Sequence, residues 1–336
     1  MTASDDDTRA GAGPIHTHDD GVIAIDTLTA GLTDVTAGYL IDAPRPALIE
    51  CGPALTVETV LAALGSLGLQ AGDLAYLVLT HIHLDHAGGA GDVVAAFPNA
   101  TVVVSEHGAR HLVDPERLNA SSAQVYGPLF DRVYGACTPV PAPRVRSIAD
   151  RDELDLGGGR VLELLHTPGH AKHHLGVFDP QIGAVFAGDS VGVQLPGMTE
   201  LRPATPPPEF HLDAALASLE RYRARSPERI YLAHYGPVAP ADAVLDVAGV
   251  QLRRWVETAE DAREQAREGG LTGSHELDHV AETLERRCLP PTSGAADSDT
   301  SDHRTRLELL NDTRANAAGL LRYLHRRDAG TLTDLG

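Results

Sequence analysis

Hydrophobic residues follow two patterns that alternate between residues 21 and 240. Short runs of branched apolar residues between turn residues predict β-strands, whereas apolar residues spaced three or four apart predict helices. The predicted strands cover 21–29, 36–42, 47–52, 74–80, 100–106, 160–166, 184–188 and 229–233. The predicted helices cover 56–69, 107–113 and 212–225, with a helical excursion or loop at 115–140. Strands that alternate with helices indicate an α/β fold.

The pattern changes after Pro240, where no strand pattern remains. The predicted helices beyond this point cover 241–268, 274–288 and 303–327. The stretch 290–302, rich in Ser, Asp, Pro and Gly, predicts a flexible linker. The polar, acidic start of the chain predicts a mobile tail. We therefore divide the chain into a tail, a main domain and a helical extension packed on that domain, at 1–20, 21–240 and 241–336.

Composition narrows the class of protein. With 336 residues, of which 43% are hydrophobic, the chain can bury a sizeable core. It has no apolar run of about 18 residues that would span a membrane, and its start lacks the apolar segment of a secretory signal. The three cysteines are far apart and odd in number, which does not suggest a disulfide framework. We expect a cytoplasmic protein.

The net charge excludes two kinds of partner. There are 47 acidic and 27 basic side chains, which give a formal net charge of -20. A chain this acidic lacks the broad basic surface with which proteins neutralise nucleic-acid phosphates. For the same reason, binding to an anionic membrane surface is disfavoured.

The string THIHLDHAGG at 80–89 carries the candidate chemistry. It places His81, His83, Asp85 and His86 directly after a buried strand. In an extended segment, residues two apart point to the same side, so His81 and His83 can aim at one point. If a helix begins next, Asp85 and His86 lie in its first turn and can reach a second point nearby.

Three further candidate ligands follow predicted strands. His170 lies in HTPGH, Asp189 in FAGDS and His234 in YLAHYG. The carboxyl ends of strands in α/β proteins form the edge at which ligands bind. We therefore expect these three side chains to share one edge of the fold.

The strings THIHLDHAGG, TPGH, FAGDS and YLAHYG occur in this order, and with them the sequence resembles the metallo-β-lactamase superfamily of hydrolases. The resemblance covers about 21–240. It implies an α/β fold, a four-layer αββα sandwich with a catalytic domain at 21–240 and added C-terminal helices. It also implies two metal ions bridged by Asp189. The first ion would be held by His81, His83 and His170. The second ion would be held by Asp85, His86 and His234.

The ligand types agree with metal-dependent hydrolysis. Imidazole nitrogens and carboxylate oxygens suit zinc, although iron and manganese accept the same ligands. Two divalent ions, with zinc favoured, could hold a bridging hydroxide that attacks a carbonyl group, and Asp85 would orient this hydroxide. We expect a small ester, thioester or lactone as the substrate. A homo-oligomer is compatible with the sequence, which also leaves the native metal open.

Within the superfamily, TPGHAKHHLG resembles a glyoxalase-II-like branch. The pair His173–His174 departs from the TPGHTxGH pattern of glyoxalase II, and the glutathione-binding positions of that enzyme have no match. Three alternatives remain: a hydroxyacylglutathione hydrolase, a mononuclear-iron persulfide dioxygenase and a non-enzymatic metal-stabilised binding protein. The roles of Lys172, the only lysine, and of His173 and His174 stay open.

Overall fold

The structure is a computed structural model that describes residues 13–289, 305–333 and 335. The first twelve residues of the predicted tail and the predicted linker at 290–302 lie outside the described residues.

Eight of the thirteen strands in the described ranges lie where the hydrophobic pattern predicts a strand. The strands are β1 (Ile15–Thr17), β2 (Val22–Asp26), β3 (Ala37–Ile41), β4 (Ala47–Ile49), β5 (Tyr76–Val78), β6 (Thr101–Ser105), β7 (Val145–Ile148), β8 (Arg151–Asp155), β9 (Val161–His166), β10 (Leu175–Asp179), β11 (Ala184–Gly188), β12 (Arg229–Leu232) and β13 (Gly236–Val238). The α-helices are α1 (Val57–Ser66), α2 (Leu84–Ala87), α3 (Ala90–Ala96), α4 (Glu106–Val113), α5 (Glu116–Tyr126), α6 (Leu212–Arg223), α7 (Ala241–Glu268), α8 (Ser274–Cys288), α9 (305–310) and α10 (Thr313–Asp328). Short 3-10 helices cover Thr29–Gly31, Ala54–Thr56 and Ala142–Arg144, and a π-helix covers Phe130–Tyr134.

Among the described residues, the first sheet has seven strands in chain order from β1 to β7. The pairs from β1 to β4 are antiparallel, and β4 and β5 are parallel. In β1, Ile15 pairs with Ile25 of β2. The predicted tail therefore extends too far, because its residues 15–17 belong to the sheet edge. Their side chains are exposed, which is why the hydrophobic pattern did not reveal this strand.

The second sheet, within the same described ranges, has six strands in the order β13-β12-β11-β10-β9-β8. Only the β11–β12 pair in this sheet is parallel. A parallel connection needs a long crossover, and α6 lies within this connection in the sequence. Two sheets with helices confirm the predicted α/β class.

The chain forms two compact units. The first unit comprises 13–79, 83–102 and 111–145, and the second comprises 80–82, 103–110 and the described residues from 146 onward. In the second unit, Trp255 of α7 packs in one apolar cluster with sheet residues such as Val185 and Ile230 and with Leu320 of α10. The C-terminal helices thus share the core of that unit, whereas the division into domains at residue 240 stays a prediction.

The predicted helices at 241–268 and 274–288 have the observed bounds of α7 and α8. The predicted helix at 303–327 is instead divided into α9 and α10. Asp312 causes the new start, because its carboxylate accepts a hydrogen bond at 2.8 Å from the N–H of Ala315 at the beginning of α10.

Candidate metal centre

The histidine-rich motif changes from extended chain to helix at His83. His83 has extended backbone angles (φ -64°, ψ 151°), and Asp85 and His86 lie in the first turn of α2. The sequence predicts this change, and the structure confirms it. His83, Asp85 and His86 belong to the first unit, and His81 belongs to the second.

In the first unit, His86 lies between two carboxylates. Its Nε2 is 3.3 Å from Oδ2 of Asp85, and its Nδ1 is 3.8 Å from Oε2 of Glu50. All three residues are buried. The backbone holds them in place, since the N–H of Cys51 donates to the carbonyl of His86 at 2.9 Å.

Sequence reasoning missed Glu50 as a candidate functional residue. Glu50 follows the buried strand β4 and has a positive φ of 64°. An acidic residue at the end of a buried strand is the same signal that identified Asp189. That signal could therefore have identified Glu50 in the string ALIECG.

In the second unit, Asp189 lies between two histidines. Its Oδ2 is 3.7 Å from Nε2 of His170, and its Oδ1 is 3.4 Å from Nε2 of His234. The rings of His81 and His170 meet edge to face at 4.9 Å. The structure thus brings together His170, Asp189 and His234, the three side chains that follow predicted strands.

A backbone carbonyl determines which nitrogen of His170 can bind a metal. Nδ1 of His170 lies 2.9 Å from the carbonyl oxygen of Ala204. A carbonyl oxygen can only accept a hydrogen bond, so Nδ1 must carry the hydrogen. Nε2, which faces Asp189, is therefore the nitrogen with a lone pair for a metal ion. Orientation of a ligating histidine through its other nitrogen is common in metal proteins.

His174 supports the backbone of Asp189. It is fully buried, and its Nε2 accepts a hydrogen bond at 3.3 Å from the N–H of Asp189. Its Nδ1 lies 2.9 Å from Oγ1 of Thr167, which also accepts a hydrogen bond from the hydroxyl of Tyr222 at 3.1 Å. Burial raises the pKa of Tyr222 to about 12, so this hydroxyl remains a donor at neutral pH.

His173 and Lys172 both lie beside the carboxylate of Glu209. Nδ1 of His173 accepts a hydrogen bond at 3.4 Å from the N–H of Ile82, and its ring stacks 6.1 Å from that of His81. Lys172 forms an ion pair with Glu209, with 2.9 Å between Nζ and Oε1. The other oxygen of Glu209 lies 3.8 Å from Nε2 of His173.

Aromatic residues cover the helix start in the first unit. Leu84, between His83 and Asp85, packs with Val133 and Tyr134 of the π-helix. The ring of Tyr134 lies 4.4 Å from that of Tyr126. Burial, followed by the proximity of Tyr126 and Asp85, raises the pKa of Tyr134 well above its usual value. The Tyr134 hydroxyl therefore stays protonated at neutral pH.

The free cysteines do not supply thiolates. All three are buried. Burial is the main cause that raises the pKa of Cys51 well above its usual value and the pKa of Cys137 to about 12. The thiolate form, which acts as nucleophile and metal ligand, is thus suppressed in both residues.

The available ligand atoms fit a transition metal. The side chains grouped as potential metal ligands are Glu50, His81, His83, Asp85, His86, His170 and His234. Asp189 adds a carboxylate between two of these histidines. Imidazole nitrogens combined with carboxylate oxygens form the ligand set that zinc and iron take in proteins. Histidine and carboxylate clusters that could bind metal are therefore present, whereas the seven-residue ligand set stays a prediction.

A family model described as the metallo-β-lactamase superfamily matches residues 18–234. The chain belongs to this superfamily. The match includes every predicted ligand and ends before the helices from α7 onward. The resemblance inferred from the motifs is thus confirmed.

Two superfamily relatives differ in how much of their length the chain covers. The chain is 31% identical over 217 residues to a metallo-β-lactamase fold-containing protein, ST1585, of Sulfurisphaera tokodaii. The matched region covers 62% of this chain and 80% of that protein. The chain is also 30% identical over 134 residues to a hydroxyacylglutathione hydrolase of Aeromonas hydrophila. This matched region covers 40% of this chain and 39% of that enzyme. The chain thus spans about two-fifths of the length of that hydrolase.

Solved structures support the superfamily fold. The structure resembles archaeal ST1585 from Sulfolobus tokodaii with a TM-score of 0.63 and 22% identity, over 89% of this chain and 98% of that one. It resembles TTHA1429, a metallo-β-lactamase family protein from Thermus thermophilus, with a TM-score of 0.60 and 21% identity, over 88% of this chain and 89% of that one.

Among the described residues, none of the helices is both long enough and apolar enough to cross a membrane.

Proposed function

We propose that this chain is a binuclear metal-dependent hydrolase that cleaves a small ester, thioester or lactone. The observation that carries the proposal is Asp189, whose two carboxylate oxygens each face the Nε2 atom of a different histidine. A carboxylate in this position suits a ligand shared by two ions. Superfamily membership supports the same chemistry.

In the proposed centre, each predicted ligand keeps its assigned ion. The first ion would be held by His81, His83 and His170. The second ion would be held by Asp85, His86 and His234. Asp189 would be a ligand of both. When bound, such a pair supplies a hydroxide nucleophile at neutral pH and polarises the carbonyl group of the substrate. We favour zinc for both positions, with iron and manganese as the other candidates.

The chain's own residues prepare the site for this chemistry. Asp85 is buried beside His86 and is proposed to orient the attacking hydroxide. The apolar side chains around Tyr134, such as Val133 and Leu84, limit the access of water on this side.

A basic cavity beside Lys172 supports a small anionic substrate. The cavity has a volume of about 380 Å³ and is lined in part by Lys172, Glu209, Arg322 and Arg326. Such a volume is typical of sites for small molecules. Among the described lining residues, three cations against one carboxylate favour a carboxylate or phosphate group on the bound molecule. Lys172 lies two residues after His170, which places this charge next to a proposed ligand in the sequence.

We expect Arg322→Gln to raise KM for a thioester that carries a carboxylate by about tenfold, a loss of about 1.4 kcal/mol. The preference for this substrate over an uncharged thioester of the same length should fall by a similar factor. Steady-state kinetics with both substrates measure this ratio. Arg314→Gln on the same helix is the control, because Arg314 is exposed and pairs with Asp278. An unchanged ratio in Arg322→Gln would contradict a role for the cavity.

Metal analysis combined with a substrate panel tests the proposed function. We expect about two metal ions per chain, hydrolysis of at least one ester, thioester or lactone, and loss of activity with a chelator that added Zn²⁺ reverses. Hydrolysis confined to hydroxyacyl-glutathione would favour the activity named for the Aeromonas hydrophila relative. One iron per chain with oxygen uptake on a persulfide would indicate a dioxygenase instead. Bound metal without any turnover would favour a binding protein.

A further inference from the structure

The segment at 193–205 connects two of the proposed metal ligands. At one end, the carbonyl of Ala204 accepts the hydrogen bond from Nδ1 of His170 at 2.9 Å. At the other end, the N–H of Gln194 donates to the carbonyl of His234 at 3.1 Å, and the N–H of Tyr235 donates to the carbonyl of Gln194 at 3.2 Å. The two ends are themselves paired, because Val193 and Arg202 form an antiparallel bridge. The position of this segment therefore affects both histidines.

Helix α10 holds the Ala204 end of the segment. Oδ1 of Asn316 accepts a hydrogen bond at 2.6 Å from the N–H of Thr205, the residue after Ala204, and another at 3.0 Å from its hydroxyl. Thr205 and Asn316 are buried, so solvent cannot easily replace these bonds. A Cβ atom at Gly319, one turn further along α10, would collide with the carbonyl of Thr205. The helix and the segment thus approach as closely as a glycine permits.

A second set of bonds holds the preceding residues. Nη1 of Arg202 donates to Oε1 of Glu308 at 2.7 Å and to the carbonyl of Asn311 at 3.0 Å. Nδ2 of Asn311 donates to the carbonyl of Pro203 at 3.1 Å. Arg202 is almost completely buried, at 1% exposure, so its charge depends on these partners. The bonds fix residues 202–205 from the side of α9 and α10.

From this geometry we infer that α9 and α10 are part of the support of the metal centre, with Asn316 as a positioning residue for His170. The inference rests on the proposed metal centre, and it assigns a role to helices that lie beyond the residues matched by the family model. Asn316 holds the N–H of Thr205. The bond fixes the peptide group between Ala204 and Thr205. The carbonyl of Ala204 in this peptide group orients His170 with Nε2 towards Asp189.

The test compares two variants of α10 in the full-length protein. Asn316→Ala removes the acceptor of both Thr205 bonds. Leu320→Ala is the control, because Leu320 is buried in the core on the same helix and its truncation lowers the melting temperature without removing a bond to 202–205. Zinc affinity is measured by competition with a chromophoric chelator, and ligand geometry is measured from the visible absorption of the Co²⁺-substituted protein.

We expect Asn316→Ala to weaken zinc binding about 10- to 100-fold and to change the Co²⁺ spectrum, as substitutions beside metal ligands do. Leu320→Ala should retain the affinity and the spectrum of the natural protein. Natural zinc affinity in Asn316→Ala would overturn the inference. An equal loss of zinc affinity in Asn316→Ala and Leu320→Ala, at similar melting temperatures, would also overturn the inference.

Two further results separate this inference from the proposed function. If the natural protein binds no metal, both the function and the inference fail. If it binds metal and hydrolyses substrate while Asn316→Ala binds equally well, only the inference fails. Should Asn316→Ala not fold, Thr205→Val replaces it, because valine removes the hydroxyl bond and retains the shape of the side chain. A smaller decrease in zinc affinity is then expected, and no decrease would overturn the inference.

Discussion

Asp189→Ala is expected to reduce metal-dependent turnover by on the order of 10³-fold while the protein stays folded, because groups that act as one unit lose nearly all function when one is removed. Asp189 is buried and presents its two oxygens to His170 and His234. Without this carboxylate, the two histidines lose the group that faces both of them. We therefore expect reduced metal content together with the loss of activity.

Metal content, circular dichroism and turnover of the best substrate measure these effects together. Asp246→Ala is the matched control, because it removes an exposed carboxylate that pairs with Arg223 on the surface. The control should keep full activity and full metal content, since an exposed ion pair contributes little to stability. Near-normal turnover in Asp189→Ala would refute the shared-ligand role.

Gly188→Ala is expected to lower the free energy of unfolding by about 2–5 kcal/mol, through a strained backbone and overpacking in a buried site. Gly188 has a φ of 48°, a region that side chains with a Cβ atom rarely adopt. An added Cβ would lie 2.6 Å from Nε2 of His174 and would collide with the hydroxyl of Thr80. Because Nε2 of His174 also accepts from the N–H of Asp189, the added methyl group would displace a proposed ligand as well.

Urea unfolding measures the stability loss, and zinc titration measures the effect on the ligand. Gly159→Ala separates the two causes, because Gly159 has a φ of 87° but no atom within 4 Å of its Cβ position. This control should cost only about 1–2 kcal/mol from backbone strain and should leave zinc affinity unchanged. Equal losses in the two variants would show that the contacts of Gly188 are unimportant.

Much of the fold could be predicted because buried strands and amphipathic helices leave a clear hydrophobic pattern. The bounds of α7 and α8 were predicted, as was the change from strand to helix around His83. Edge strands leave a weaker pattern. The strand β8, with the sequence RDELD, has mostly polar and exposed residues, so nothing in its hydrophobicity distinguishes it from a loop.

The candidate ligands could be predicted because metal chemistry needs particular side chains, and these stand out at the ends of strands. Their supports could not be predicted in the same way. The carbonyl of Ala204 orients His170, but every residue has a carbonyl and the sequence does not mark this one. Asn316 lies 111 residues from Thr205, and no local pattern reports a contact over that separation. His174 could be noticed as unusual, but only its burial and its bond to Asp189 show what it does.

A ribosome makes the chain from its N-terminus, so the bond between Thr205 and Asn316 forms only after the predicted metal ligands have been made. Every predicted ligand has been synthesised by His234, whereas Asn316 follows Thr205 by 111 residues and is made later. A nascent chain that stops before α10 carries all the ligands but lacks the helix that holds the residue after Ala204. Messages truncated in this region should therefore yield protein that acquires its metal poorly.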